Sequence, residues 1–240
     1  MAFLWDELRQ AIPLITSGND YILNLTWVTI RVAVVATTGA LLIGLPIGLA
    51  LGLGRFRGRR TLQILANATL ALPPILGGLF VLLLTLPQGV LGGLHYAFTL
   101  NAVYIAQTLL ALPYIVALTP AAIQGLPPGL LAQARALGAG RGHLSLLALR
   151  EAKIGVMAAA IAAFGTALAE VGAVVIVGGN IENYDQTLAS AVLSQVNDFA
   201  NYPYALAISI VLLGLILVLM AALTVIQQRS SGINLRFRAV

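Results

Sequence analysis

The chain is 240 residues long, 60% apolar and only 9% charged, with a mean hydropathy of +0.96. A soluble domain is about 45–50% apolar, so the polar residues here cannot cover a water-soluble core of this size, and lipid must be the solvent for most of it. The formal net charge of +5 follows from arginine placement and needs no nucleic-acid partner, and the absence of cysteine excludes disulfides, thiolate metal sites and cysteine nucleophiles.

The opening MAFLWDELRQ carries Asp6 and Glu7 where a secretory leader would be basic, so the first span is expected to act as its own insertion signal. Residues 3–14 place apolar side chains on one face and are too short to cross, which leaves open a sixth, interfacial helix. Runs near the roughly 20 residues that a crossing needs lie at 25–53, 62–86, 100–123, 154–177 and 204–226. They predict an all-α membrane protein of five transmembrane helices, forming a single domain over 1–240.

Within span one, Gly44, Gly48 and Gly52 recur at every fourth position. In span four Ala158 and Ala162, and Ala159, Ala163 and Ala167, do the same. Both rows read as surfaces for close helix packing. Span two contains Pro73-Pro74 and Gly77-Gly78, which interrupt the backbone hydrogen-bond ladder. In lipid that is tolerated where the freed groups line a cavity or are covered by protein. Pro73, Pro74, Gly77 and Gly78 are therefore candidates for a translocation pathway, with a packing kink as the alternative.

Two formally charged residues fall well within spans, Arg31 and Glu170. A charge in hydrocarbon is costly unless paired or wetted. Their similar depth permits an ion pair between them, and either could instead line the pathway. Of the 13 basic residues, all but Arg9 and Arg31 fall on one side of the five-span arrangement: Arg55, Arg57, Arg59, Arg60, Arg135, Arg141, Arg150, Lys153, Arg229, Arg236 and Arg238. Asp6, Glu7, Asp20, Glu182, Asp185 and Asp198 fall on the other. Basic loops are retained in the cytoplasm, so the N-terminus is expected outside and the C-terminus inside.

The cytoplasmic segment 124–153 holds a helix-compatible piece, Gly129 to Leu137, between the breaker Pro127-Pro128 and Gly138, Gly140 and Gly142. Topology explains its arginines but not a breaker-bounded helix, which reads as a knob for another protein. Its sequence AQARALGAGRGHLSLLALREA resembles the loop of ABC-importer permeases that runs Glu-Ala-Ala, three residues, Gly, nine residues, Ile-x-Leu-Pro. With the family glycine on Gly138, the last alanine of the triplet is Ala134, and Arg135 to Ala139 supply the Arg-Ala-Leu-Gly-Ala run. The closing Ile-x-Leu-Pro is replaced by Ala148, Arg150 and Glu151.

ALPPILGG (71–78), the spaced group from Gln88 to Pro113, and AEVGAVVIVGGNI (169–181) are similar to the tungstate branch of the molybdate and tungstate permeases. That branch tends to carry a basic residue where this chain has Gln186. The resemblance implies a type I ABC-importer permease fold working as a homodimer, with a cytoplasmic ABC ATPase dimer and an extracytoplasmic oxyanion-binding protein as partners. It implies that Gln133, Ala134, Arg135, Ala136, Leu137, Gly138, Ala139 and Arg141 couple to the ATPase. ATP and magnesium would belong to those ATPase subunits. The outer loop bearing Glu182, Asp185 and Asp198 is the expected docking surface for the binding protein.

No GxxxxGK[ST] loop is present, so the chain is not expected to be a P-loop ATPase itself. His95 and His143 stand apart with no HExxH motif, and Ser190 and Ser194 have no GxSxG context, so no catalytic or metal residues are expected. The sequence reads as the inner-membrane permease subunit of an ATP-driven oxyanion importer, tungstate first, with molybdate or sulfate as alternatives. A self-contained secondary transporter or channel is the rival of another class, and the inverted repeats and midplane ionisable groups it should show are not visible.

Overall fold

A computed structural model describes residues 2–236; Arg238 and the side chain of Arg236, counted above among the basic residues of one side, lie outside the described part. All regular structure among the described residues is helical.

Helix α1 (Ala2–Thr16) spans the interval 3–14 whose apolar face suits an interfacial helix, and Ala11 packs it into a cluster with Ile208 of the last helix. Helix α2 (Asp20–Leu53) begins ahead of the expected residue 25, because the Asn19 side chain accepts from Tyr21 N at 3.0 Å and Asp20 sits at the positive end of the helix dipole. At its other end Arg59 folds back and donates from Nε to the Leu51 carbonyl at 2.6 Å and from Nη2 to the Gly52 carbonyl at 3.2 Å. Those are carbonyls that a helix end leaves without partners, so Arg59 does more than mark a side of the membrane.

The span 62–86 is broken at its prolines, the alternative to one continuous rod that Pro73-Pro74 and Gly77-Gly78 allow. It is α3 (Arg59–Thr69) followed by α4 (Pro74–Thr85), bent by 102°. Pro73 and Pro74 have no N–H to continue α3, whereas Pro74 suits the first position of a new helix. After a single 3-10 turn at Gly92–Leu94, α5 (Leu100–Gln124) lies along α2. A Cβ built on Gly44 would come within 2.8 Å of Ile115, one on Gly48 within 2.7 Å of Thr119, and one on Gly52 within 2.7 Å of Ile123. The glycine row is thus the seat of α5, and residue numbers rising together on both helices show that they run parallel.

Two short helices follow, α6 (Leu130–Ala136) and α7 (Arg141–Glu151), the latter bent by 71° from α8 (Lys153–Ala169). The expected rod 154–177 is also broken: after Glu170 and Val171 the chain restarts as α9 (Gly172–Gly178). Then come α10 (Leu188–Asn197) and α11 (Tyr202–Arg236).

The core is built largely from small residues. Ala40, Ala111, Ile115, Ala159 and Ala163 form one cluster between α2, α5 and α8; Ala33, Ala36, Ala167 and Leu168 form another, against Phe164 and α11. Large apolar side chains face outward instead, with Leu42, Leu217 and Val218 at 73%, 61% and 67% exposed, the arrangement that suits lipid or a partner copy as solvent. Helices α2, α5 and α11 are each long and apolar enough to cross a membrane, and the bent pairs α3–α4 and α7–α8 raise the number to five if each pair is one span.

Candidate translocation and coupling sites

The break between α3 and α4 opens onto a cavity of about 530 Å³. Its walls are the chain from Thr69 to Pro74, then Leu76, Gly77 and Phe80 on α4, a strip of α5 from Leu109 to Val116, and Thr166 on α8. The lining is apolar apart from the hydroxyls of Thr69, Tyr114 and Thr166 and the backbone at the elbow. Pro73, Pro74 and Gly77 are brought together here, as a pathway reading requires. Gly78 is not: a Cβ on it would lie 2.6 Å from Ala173 Cα, so it is the point where α4 and α9 touch.

Arg31 and Glu170 do not line this cavity, and they do not pair with each other. Glu170 turns back over the break, where its Oε1 accepts from Ala173 N at 3.0 Å and so caps the start of α9. Arg31 is exposed, with its guanidinium carbon 5.8 Å from the Tyr104 ring centroid, a cation–π contact. It stands about 22 residues from Leu53, or roughly 33 Å along α2 at about 1.5 Å per residue. That exceeds the roughly 30 Å of a hydrocarbon core. Trp27, one turn further on, is 64% exposed. Arg31 therefore stands closer to the Asp20 end of α2 than to its Leu53 end.

The predicted coupling residues form one continuous feature. Gln133, Ala134, Arg135 and Ala136 lie on α6, Leu137, Gly138 and Ala139 make its terminal turn, and Arg141 opens α7. Gly138 has φ +87°, with its N–H donating to the Arg135 carbonyl at 2.9 Å, and Ala139 N–H donates to the Ala134 carbonyl at 3.0 Å. This is a Schellman end, which calls for a residue at ease in the left-handed region. No residue of α6 is buried, and Leu137 is 89% exposed at its tip. Behind it, Leu126, Leu131, Ala148 and Ala152 pack with Ile123, Leu49, Leu53 and Val156, so the segment is seated on the ends of α2, α5 and α8.

At the far end of the molecule, Glu182 and Asp198 are exposed, but Asp185 is fully buried and so is no docking contact. Its Oδ1 accepts from Ile181 N, and its Oδ2 rests against Gly178 without a hydrogen-bond partner. Burial pushes its carboxyl up from 3.8 to about 6, against the opposing effect of the Ile181 N–H. Around it, where the sequence leads one to expect an outer docking loop, lies a buried polar network. Tyr21 donates to Gln186 at 2.7 Å, Asn180 donates to Ser194 at 2.6 Å, Thr187 and Ser190 form a capping box for α10, and Leu188 N donates to Thr29 at 2.8 Å. The available signal was Thr187, an N-cap residue type placed just before an apolar run.

Residues 44–232 match the family described as binding-protein-dependent transport system inner membrane component. A probable anion ABC transporter permease protein of Haloferax volcanii is 34% identical over 223 residues, covering 91% of this chain and 96% of the relative. The tungstate uptake system permease protein TupB of Peptoclostridium acidaminophilum is 29% identical over 213 residues, covering 89% and 93%. An inward-facing structure of the MetNI methionine ABC transporter shares the fold, with a TM-score of 0.73 at 21% identity over 91% of this chain and 98% of that one. With most of its length matched, from the glycine row of α2 through α11, the chain belongs to the binding-protein-dependent transport system inner membrane components, the permeases of ABC importers.

Proposed function

We propose that the chain is the membrane subunit of an ATP-driven importer for a tetrahedral oxyanion, tungstate before molybdate or sulfate. The observation that carries this reading is α6: a short helix with no fully buried residue that ends on a projecting Leu137, 89% exposed, and is braced against the ends of three long helices. An exposed apolar tip on a stiff mount suits a separate protein that pushes. The relatives named for anion and tungstate transport support the choice of cargo.

In this account two copies of the chain face one another, two ATPase subunits bind ATP and magnesium below them, and a binding protein delivers the oxyanion above. The one-sided distribution of basic residues supports an outside N-terminus and a cytoplasmic C-terminus. The parallel run of α2 and α5 suits one intervening crossing by the α3–α4 elbow. ATP-driven closure of the ATPase would move α6, and the cluster around Ile123 and Ala148 would carry the movement into α2, α5 and α8. The first turn of α4, at the positive end of its dipole, borders the cavity, while no basic side chain lines it. Such a route passes an anion without holding it tightly, and leaves affinity to the binding protein.

Calorimetry on the cognate binding protein with tungstate, molybdate and sulfate tests the cargo. Tight tungstate binding is expected. Tight binding of an amino acid with no response to any oxyanion would contradict the proposal.

A further inference from the structure

A second cavity, of about 330 Å³, lies at the Leu53 end of α2, between the ends of α2 and α5 and the inner side of α6. Three arginines reach it from three places: Arg55 in the turn after α2, Arg59 at the start of α3, and Arg135 on α6. Among the described residues no aspartate or glutamate lines it. Arg59 is accounted for by the carbonyls that it caps. Arg55 and Arg135, 80 positions apart in sequence, have no such partner there. A preference for basic residues on one side of a membrane would be met by arginines spread in water, and Arg57, in the same turn as Arg55, does stay out of the cavity. Like charges drawn to one concavity repel unless an anion sits between them.

We propose that this cavity binds one tetrahedral oxyanion group, either the phosphate of an anionic phospholipid headgroup or a free oxyanion in solution. Guanidinium forks match the paired oxygens of such a group in a bidentate way that an ammonium does not. The remaining lining is mixed in the way either source would use. The Gln124 side chain is polar, and Leu53, Ile123, Leu126 and Leu131 form an apolar wall. Occupied, the site ties Arg135 on α6 to Arg55 at the end of α2, and so stiffens the mount on which α6 moves. The site is a property of this chain alone and is read without transport, so its failure and a failure of the importer reading are distinguishable.

The test uses the full chain in lipid nanodiscs. In one arm, nanodiscs of phosphatidylcholine only are titrated with inorganic phosphate and with tungstate by calorimetry. In the other, the chain is released from mixed phosphatidylcholine and phosphatidylglycerol nanodiscs, and retained phosphatidylglycerol is counted by native mass spectrometry. Saturable binding at one site per chain is expected in at least one arm; a response to the titrants assigns a free oxyanion, and retained phosphatidylglycerol assigns a lipid. The double variant Arg55→Gln/Arg135→Gln is expected to weaken binding by about tenfold or more. Both residues are exposed, so the core is untouched, and monodispersity on a sizing column checks this. The double variant Arg57→Gln/Arg229→Gln, with the same loss of charge, is expected to bind as the parent does. Equal weakening in the two double variants, or silence in both arms, overturns the proposal and returns these arginines to being contacts for a partner protein.

Discussion

Gly78 and Asp185 show how close packing of small and polar residues replaces a bulky core in this chain. A Cβ at Gly78 meets the backbone of Ala173 at 2.6 Å, and backbone cannot rotate aside. Gly78→Val is expected to destabilise by roughly 1–3 kcal/mol, seen as a fall in the thermal midpoint in detergent. Gly93→Val, with nothing within 4 Å of its Cβ, should change that midpoint little. Asp185 gives a pH dependence of defined sign. Its folded carboxyl is raised to about 6 from 3.8, so the folded chain holds this proton more tightly than the unfolded one. Its contribution is full below the unfolded value and is lost as pH rises through about 6, by at most about 3 kcal/mol. The thermal midpoint should therefore fall between acid and neutral pH in the parent, and fall less in Asp185→Asn.

At the scale of helices, α6 is the element whose sequence and structure agree most closely. Its breakers are local: Pro127-Pro128 before it, and Gly138 at φ +87° after it, act within a turn and need no tertiary contact to take effect. A Cβ on Gly138 meets nothing within 4 Å in this chain. Gly138→Trp is therefore expected to cost only about 1 kcal/mol of backbone strain, leaving membrane insertion intact while stimulated ATP hydrolysis falls to its basal rate. Phosphate release by the reconstituted complex checks this, and normal stimulation would show that α6 does not couple. The two broken spans differ in legibility for a physical reason. Pro73-Pro74 announces the α3–α4 elbow, because missing N–H groups end a helix wherever they occur. The α8–α9 break lies in a run whose one charged residue is Glu170, and Glu170 caps it, so that a residue read as a charge within a span is a helix cap. Apolarity reports depth in lipid, not the direction of an axis.

For the molecule as a whole, the lengths of apolar runs placed most of the long helices, and the glycine row and the alanine row 159, 163 and 167 foretold which faces meet, whereas Ala158 is exposed. Pairings between distant side chains were out of reach. Nothing local distinguishes Arg31 over Tyr104 from Arg31 beside Glu170, and Gln186, Thr187, Ser190 and Ser194 lie in what reads as an outer docking loop, although their hydrogen bonds run to polar groups inside the fold. Tungstate uptake into proteoliposomes decides whether a separate ATPase drives this permease. With the chain, its ATPase and its binding protein present, uptake is expected to require ATP on the ATPase side and to stop when the ATPase is omitted. Uptake by the chain alone, driven by an ion gradient and indifferent to ATP, would contradict ATPase-driven transport.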